Sequence, residues 1–123
     1  MDEDFLAAWV GKLGRAWEDR DPQTAAALFS PDVVYRENPF AAALHGRAAV
    51  AEYWRGELAD HTRVRCEFDV IGVAGSSGIA HWRTTLTRGG TGAQVALDGL
   101  IVVRFNPAGE CCSLREWWHA QEG

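Results

Sequence analysis

The stretch "LREWWH" (residues 114–119) sets one carboxylate, Glu116, between an arginine and two tryptophans. On a strand the side chains alternate, so Leu114, Glu116 and Trp118 share one face while Arg115, Trp117 and His119 share the other. If the first face is enclosed, Glu116 loses hydration and its pKa rises, by about 3 to 5 units for complete burial, which makes it a working acid or base near neutral pH. If that face is open, Glu116 is a surface charge beside apolar neighbours. Other chemistries find little support. His45, His61, His81 and His119 lack metal-ligand spacing. Ser76 and Ser77 lie in a "GSSG" turn without a nucleophile elbow, and nothing around Cys66, Cys111 or Cys112 suggests an activated thiolate. The glycine clusters suit hairpins rather than a phosphate loop, and neither a metal nor a cofactor is expected.

The elements that must position this carboxylate are legible in the periodicity. Between Asp4 and Glu18, the residues Phe5, Trp9, Leu13 and Trp17 recur every four positions, the stripe of an amphipathic helix that Gly11 and Gly14 weaken. Asp21 as N-cap and Pro22 at the first helical position start a second helix, expected to stop near Ser30 and Pro31. "VVYRENPF" (33–40) predicts a short strand ended by Pro39, with a loop to Gly46. A third helix is expected over about Arg47 to Ala59, where Val50, Trp54 and Leu58 form another stripe. Four strands follow at 63–73, 78–88, 93–105 and 110–119, separated by "GSSG", "GGTG" and "NPAG" turns of hairpin type. Three helices before a four-strand antiparallel meander, with one early strand between helices, indicate an α+β domain. Strands of about ten residues are long, so the sheet should twist and curve around the helices, leaving a pocket.

At 123 residues the chain suits a single domain over 1–123 with a real core. A net charge of −5, with arginines interleaved among acids, argues against nucleic-acid binding, which needs a concentrated basic face. The acidic start and the lack of a long apolar run predict neither a secretory leader nor a membrane span, so a cytoplasmic location and reduced thiols are expected.

The paired helices with "RDP", then "YRENPFAAALHGRAAVAEYW", "GIAHWR", "LDGLIVVRFNPAGE" and "LREWWH", resemble the SnoaL-like group of the nuclear transport factor two-like superfamily. The resemblance implies three helices packed in a strongly curved, mostly antiparallel sheet, a cone-shaped α+β barrel around an apolar cavity. It also implies homodimerisation through the sheet's outer face. Isomerases, dehydratases, epoxide hydrolases, cyclases and non-enzymes share this fold. Compared with limonene-type epoxide hydrolases, Tyr35 falls on the water-holding tyrosine, Glu37 on an asparagine and Glu116 on the water-activating aspartate. Their middle-strand arginine and aspartate fall on Thr84 and Leu86, so their proton donor is missing. Compared with ketosteroid isomerases, the base falls on Asn38, the protonated aspartate on Ile101 and the helix-one tyrosine on Leu13.

The resemblance also implies a phase for the sheet. Leu114, Glu116 and Trp118 would face the cavity together with Ala80, Trp82, Thr84 and Leu86, and a one-residue slip would reverse every one of them. In that phase Glu116 is the expected acid or base. Glu37 is its candidate partner, because facing carboxylates tend to share one proton, and Tyr35 is the polarising donor. Glu37 could equally be a solvated strand end, and Tyr35 an ordinary half-buried strand residue. Expected ligand contacts are Trp17, Asn38, Phe40, Trp54, Trp82, Thr84, Ile101 and Trp118, the tryptophans serving as stiff apolar walls or simply as core filling. Asp98, His81 and Arg83 fall on the outer surface as cross-strand pairs or a dimer contact. The expectation is a small-molecule-binding protein that performs cofactor-free acid–base chemistry on an apolar, oxygen-bearing substrate. A non-catalytic binding module, or an interaction protein whose cavity its own tryptophans fill, are the alternatives.

Overall fold

A computed structural model describes residues 1–123. In chain order the elements are helices α1 (Glu3–Glu18) and α2 (Pro22–Ala26), strands β1 (Phe29–Arg36) and β2 (Leu44–His45), helix α3 (Arg47–Leu58), and strands β3 (His61–Ala74), β4 (Ser77–Arg88), β5 (Gln94–Phe105) and β6 (Cys111–Glu122). The Asp2 side chain caps α1 by accepting from the Phe5 N–H at 2.8 Å, and Asp21 caps α2 by accepting from the Thr24 N–H at 3.1 Å. The expected weakness at Gly14 has a use. A Cβ there would lie 3.3 Å from the Phe68 ring, so the glycine lets α1 press closely onto β3.

The strands form one six-stranded sheet in the order β2-β1-β6-β5-β4-β3. Three features depart from the sequence-based expectation. Helix α2 ends at Ala26, not near Pro31, and β1 already begins at Phe29. Phe29 pairs with Cys111, and the ladder is then interrupted until Val34 meets Ser113; Pro31 lies in that gap, where its missing N–H breaks no pairing. The β1–β6 pairing is parallel, so the sheet is mixed, and the two-residue β2 was not foreseen at all. Finally, the sheet is open, with β2 and β3 as its edges, rather than a closed barrel.

The helices cover one face. There Ala80, Trp82, Thr84 and Leu86 of β4 are buried, as are Val95, Ile101 and Val103 of β5, while the intervening Arg83, Thr85, Asp98 and Leu100 are exposed. The core continues through Trp9, whose ring meets Phe29 and Phe105 edge-on at 5.5 and 5.3 Å. Its indole N–H donates to the Leu28 carbonyl at 3.2 Å.

Candidate functional site

Register places the groups. On the covered face, Glu116 lies opposite Ile101, which in turn faces Ala80; one row further along, Trp118, Gly99 and Trp82 stand side by side across β6, β5 and β4. Gly99 is required there. A Cβ at this position would lie 2.5 Å from the Trp117 carbonyl oxygen and 2.8 Å from both Trp118 Cβ and Trp82 Cε2. The missing side chain lets the two tryptophans close over the strand.

Between this face and the helices lies a cavity of about 110 Å³. Its sheet wall is Glu116, Trp118 and Ala120 of β6 with Trp82 and Leu86 of β4 and Val95 and Leu97 of β5. Its roof is Tyr53, Trp54 and Glu57 of α3 and Trp17 of α1; Tyr35 closes one side, and His61 and Arg88, partners across β3 and β4, stand at the sheet end. Trp17 meets Trp54 and Trp82 at 5.6 and 5.4 Å between ring centroids, so three indoles occupy much of the interior.

The polar groups are few, and burial displaces the titration of Tyr35, Tyr53, Glu57, His61 and Glu116. Tyr35 donates to Glu116 Oε1 at 3.4 Å, a long bond. Enclosure pushes the Glu116 carboxyl up to about 8, with Glu37 and Glu57 adding repulsion and the Tyr35 hydroxyl opposing it. Burial, and then the neighbouring Glu116 and Tyr53, hold the Tyr35 phenol well above its usual range, so it stays a neutral donor. Tyr53 is raised for the same first reason. Glu57 stands exposed at the rim, where partial burial and Glu37 raise its pKa and Arg88 opposes them. Burial and the nearby Arg88 lower His61. Its Nδ1 accepts from the Trp17 indole N–H at 3.1 Å, which puts the proton of the neutral ring on Nε2.

Of the expected site residues, the fold brings together Glu116, Tyr35, Trp17, Trp54, Trp82 and Trp118 around the cavity. Glu37 lies just beyond β1, partly buried; its carbonyl accepts from the Trp118 indole N–H at 3.3 Å, and its carboxylate is close enough to act on Glu116 and Glu57, but it is not part of the wall. Asn38 is exposed and spends its side-chain oxygen on the Phe40 N–H at 2.8 Å, a local turn that carries the chain away from the cavity. Phe40 is 97% exposed in consequence. Thr84 is buried, but its hydroxyl donates to Cys66 Sγ at 3.1 Å, and Ile101 is core rather than lining. These four are not at the cavity.

Sequence reasoning missed Tyr53, Glu57, His61 and Arg88. The first two were findable, since they stand four residues apart on one helix face beside Trp54. His61 and Arg88 meet only through the β3–β4 register, which no local pattern discloses. No group of three or more metal-ligating side chains is present.

Comparison with known proteins gives these positions a context. The chain is 27% identical over 97 residues to the steroid Delta-isomerase of Nocardioides simplex, spanning 79% of this chain and 76% of that enzyme. Its fold matches SalBIII, an epoxide hydrolase/cyclase-like enzyme of pyran ring formation in the polyether salinomycin, with a TM-score of 0.82 and 18% identity over 100% of both chains. It also matches a computationally designed 17-OHP binder, with a TM-score of 0.79 and 22% identity over 94% of this chain and 95% of that one. Those two likenesses concern the fold. Residues 10–113 match the SnoaL-like domain, and the chain belongs to that family.

Proposed function

We propose that the protein is a cofactor-free acid–base enzyme acting on a small, largely apolar, oxygen-bearing molecule, with Glu116 as its acid. The observation that carries this is the Glu116 carboxyl on the sheet wall of a tryptophan-lined cavity, addressed by a buried phenol at 3.4 Å. With a pKa near 8, Glu116 is mostly protonated at neutral pH and can deliver its proton to a substrate oxygen while Tyr35 donates to the same oxygen. A rim carboxylate, Glu57 or Glu37, takes a proton from carbon, from water or from an attacking hydroxyl. The carboxyl groups exchange protonation in the cycle, and transfer through water restores them. Isomerisation, epoxide opening and ring closure all need this pair of proton movements, and an isomerase and an epoxide hydrolase/cyclase-like enzyme are among its relatives and fold neighbours.

The test uses hydrolysis of cyclohexene oxide and conversion of 3-cyclohexenone to 2-cyclohexenone. Turnover is expected to fall as pH rises through about 8, because the required form of Glu116 is protonated, and to be lost in Glu116→Gln. A rate that instead rises through that pH would make Glu116 the base. Turnover unchanged in Glu116→Gln would remove it from the mechanism and favour a binding module, whose ligands stabilise the protein without being converted.

The outer face supports homodimerisation as part of the same proposal. Ile71, Ile79, Leu100 and Trp117 are exposed there, flanked by the His81–Asp98 pair at 2.7 Å and by Arg83 with Asp69 at 3.1 Å. Sedimentation of Leu100→Glu checks it: a monomer where the parent protein is a dimer is the expected result.

A further inference from the structure

The cavity has two features that acid–base chemistry at Glu116 does not use: it is small, and two indole N–H donors among its lining residues have no partner. A cavity of about 150 Å³ in an apolar core holds benzene, whereas pockets for drug-sized ligands run from roughly 300 to 1,000 Å³. At about 110 Å³, this one is of the single-ring class and well short of the drug-sized range. The limit is set by Trp17, Trp54 and Trp82, whose mutual ring contacts fill the space that a fused-ring ligand would need.

The indole N–H groups of Trp54 and Trp82 are buried and meet no acceptor anywhere in the chain. A buried donor without a partner costs free energy, and both indoles border this cavity. Trp54 lies beside the Tyr35 hydroxyl, whose ionised form it would stabilise, and so belongs to the Tyr35–Glu116 end. Trp82 stands apart, one row along the sheet and two strands away from Glu116, with Gly99 beneath its ring.

We propose that the cavity selects a single-ring or equally short molecule carrying two acceptor oxygens, one taken by Tyr35 and Glu116 and the second by the Trp82 indole N–H. Trp82 is then a specificity residue, and the tryptophan trio excludes bicyclic and larger ligands. The inference rests on the cavity of the proposed enzyme but not on its turnover.

Binding is therefore measured on the Glu116→Gln protein, by calorimetry and by the indole N–H resonances in 15N–1H spectra, with the Trp82 signal assigned by its loss in Trp82→Phe. The probes are 1,4-cyclohexanedione, cyclohexanone, 2-decalone and androstenedione. The dione is expected to bind about fivefold to tenfold more tightly than cyclohexanone and to move the Trp82 signal downfield, with no saturable binding of the two larger ketones. Trp82→Phe, checked for native melting, should bring the dione down to the affinity of cyclohexanone. Androstenedione or decalone binding as tightly as the dione, or a dione complex that leaves the Trp82 resonance in place, would overturn the inference; both readouts on the Glu116→Gln protein stand even if Trp82→Phe does not fold. Dione binding of this kind without turnover in the parent protein would sink the enzyme and leave the ligand class standing.

Discussion

The two faces of this sheet are made by the same strands and read from the same residues, yet they treat a carboxylate in opposite ways. On the exposed face Asp98 pairs with His81 at 2.7 Å, with side chains 62% and 28% accessible, in a setting where water screens every charge. On the covered face Glu116, three strand positions from the register partner of Asp98, is largely buried among aromatic rings and its pKa is pushed up to about 8. The difference is one of dielectric surroundings rather than of residue type. It shows how a period of two along β5 and β6 separates surface electrostatics from candidate chemistry within a few ångströms.

Substitutions can widen or collapse that contrast. The largest effect is expected from Glu116→Gln on turnover, a loss of about 10² to 10⁴, measured as kcat with the small epoxide and enone probes. The same carboxyl should govern stability against pH. Its folded pKa lies above the value near 4.5 expected when unfolded, so its contribution is fully present below pH 4.5 and is lost as pH rises through about 8. In urea titrations, Glu116→Gln should therefore match the parent protein at acid pH and exceed it above pH 8, by up to about 5 kcal/mol. The variant that loses activity is the one that gains stability.

Gly99→Ala comes next. Its methyl group has no room between Trp82, Trp118 and the Trp117 carbonyl, so a loss of about 1 to 3 kcal/mol is expected in the same titrations. Tyr35→Phe removes the hydroxyl that opposes the rise in the Glu116 pKa. It should slow turnover about tenfold and move the fall in rate to higher pH, as a pH–rate profile would record. Asp98→Ala marks the small end, with a stability change under about 1 kcal/mol that salt should erase. A large effect there would mean that the His81–Asp98 pair is buried within the proposed dimer interface rather than flanking it.

Much of this arrangement is written locally. The turns after β3, β4 and β5 fall where the glycine clusters predict them, with Gly75, Gly92 and Gly109 at φ of +61°, +72° and +82°, a region other residues enter at a cost. Helices α1 and α3 follow from their four-residue stripes. The boundary between α2 and β1 was misplaced because "AAALF" continues helically by propensity, while Phe29 is claimed by a distant strand through Cys111. Asn38 and Phe40 were misplaced because a side-chain-to-backbone turn at Asn38 outweighs the apolar pull of the phenylalanine.

By itself, the sequence determined the element types, the hairpin order of β3 to β6 and the two alternating faces, because periodicity and turn chemistry act over neighbours a few residues apart. Only the tertiary structure decided that β1 runs parallel to β6 and that Tyr35 therefore reaches Glu116 from 81 residues away. It alone brought Glu57, His61 and Arg88 to the same cavity and left about 110 Å³ between three tryptophans. Those outcomes depend on long-range register and on how side-chain volumes sum, quantities that no local pattern encodes.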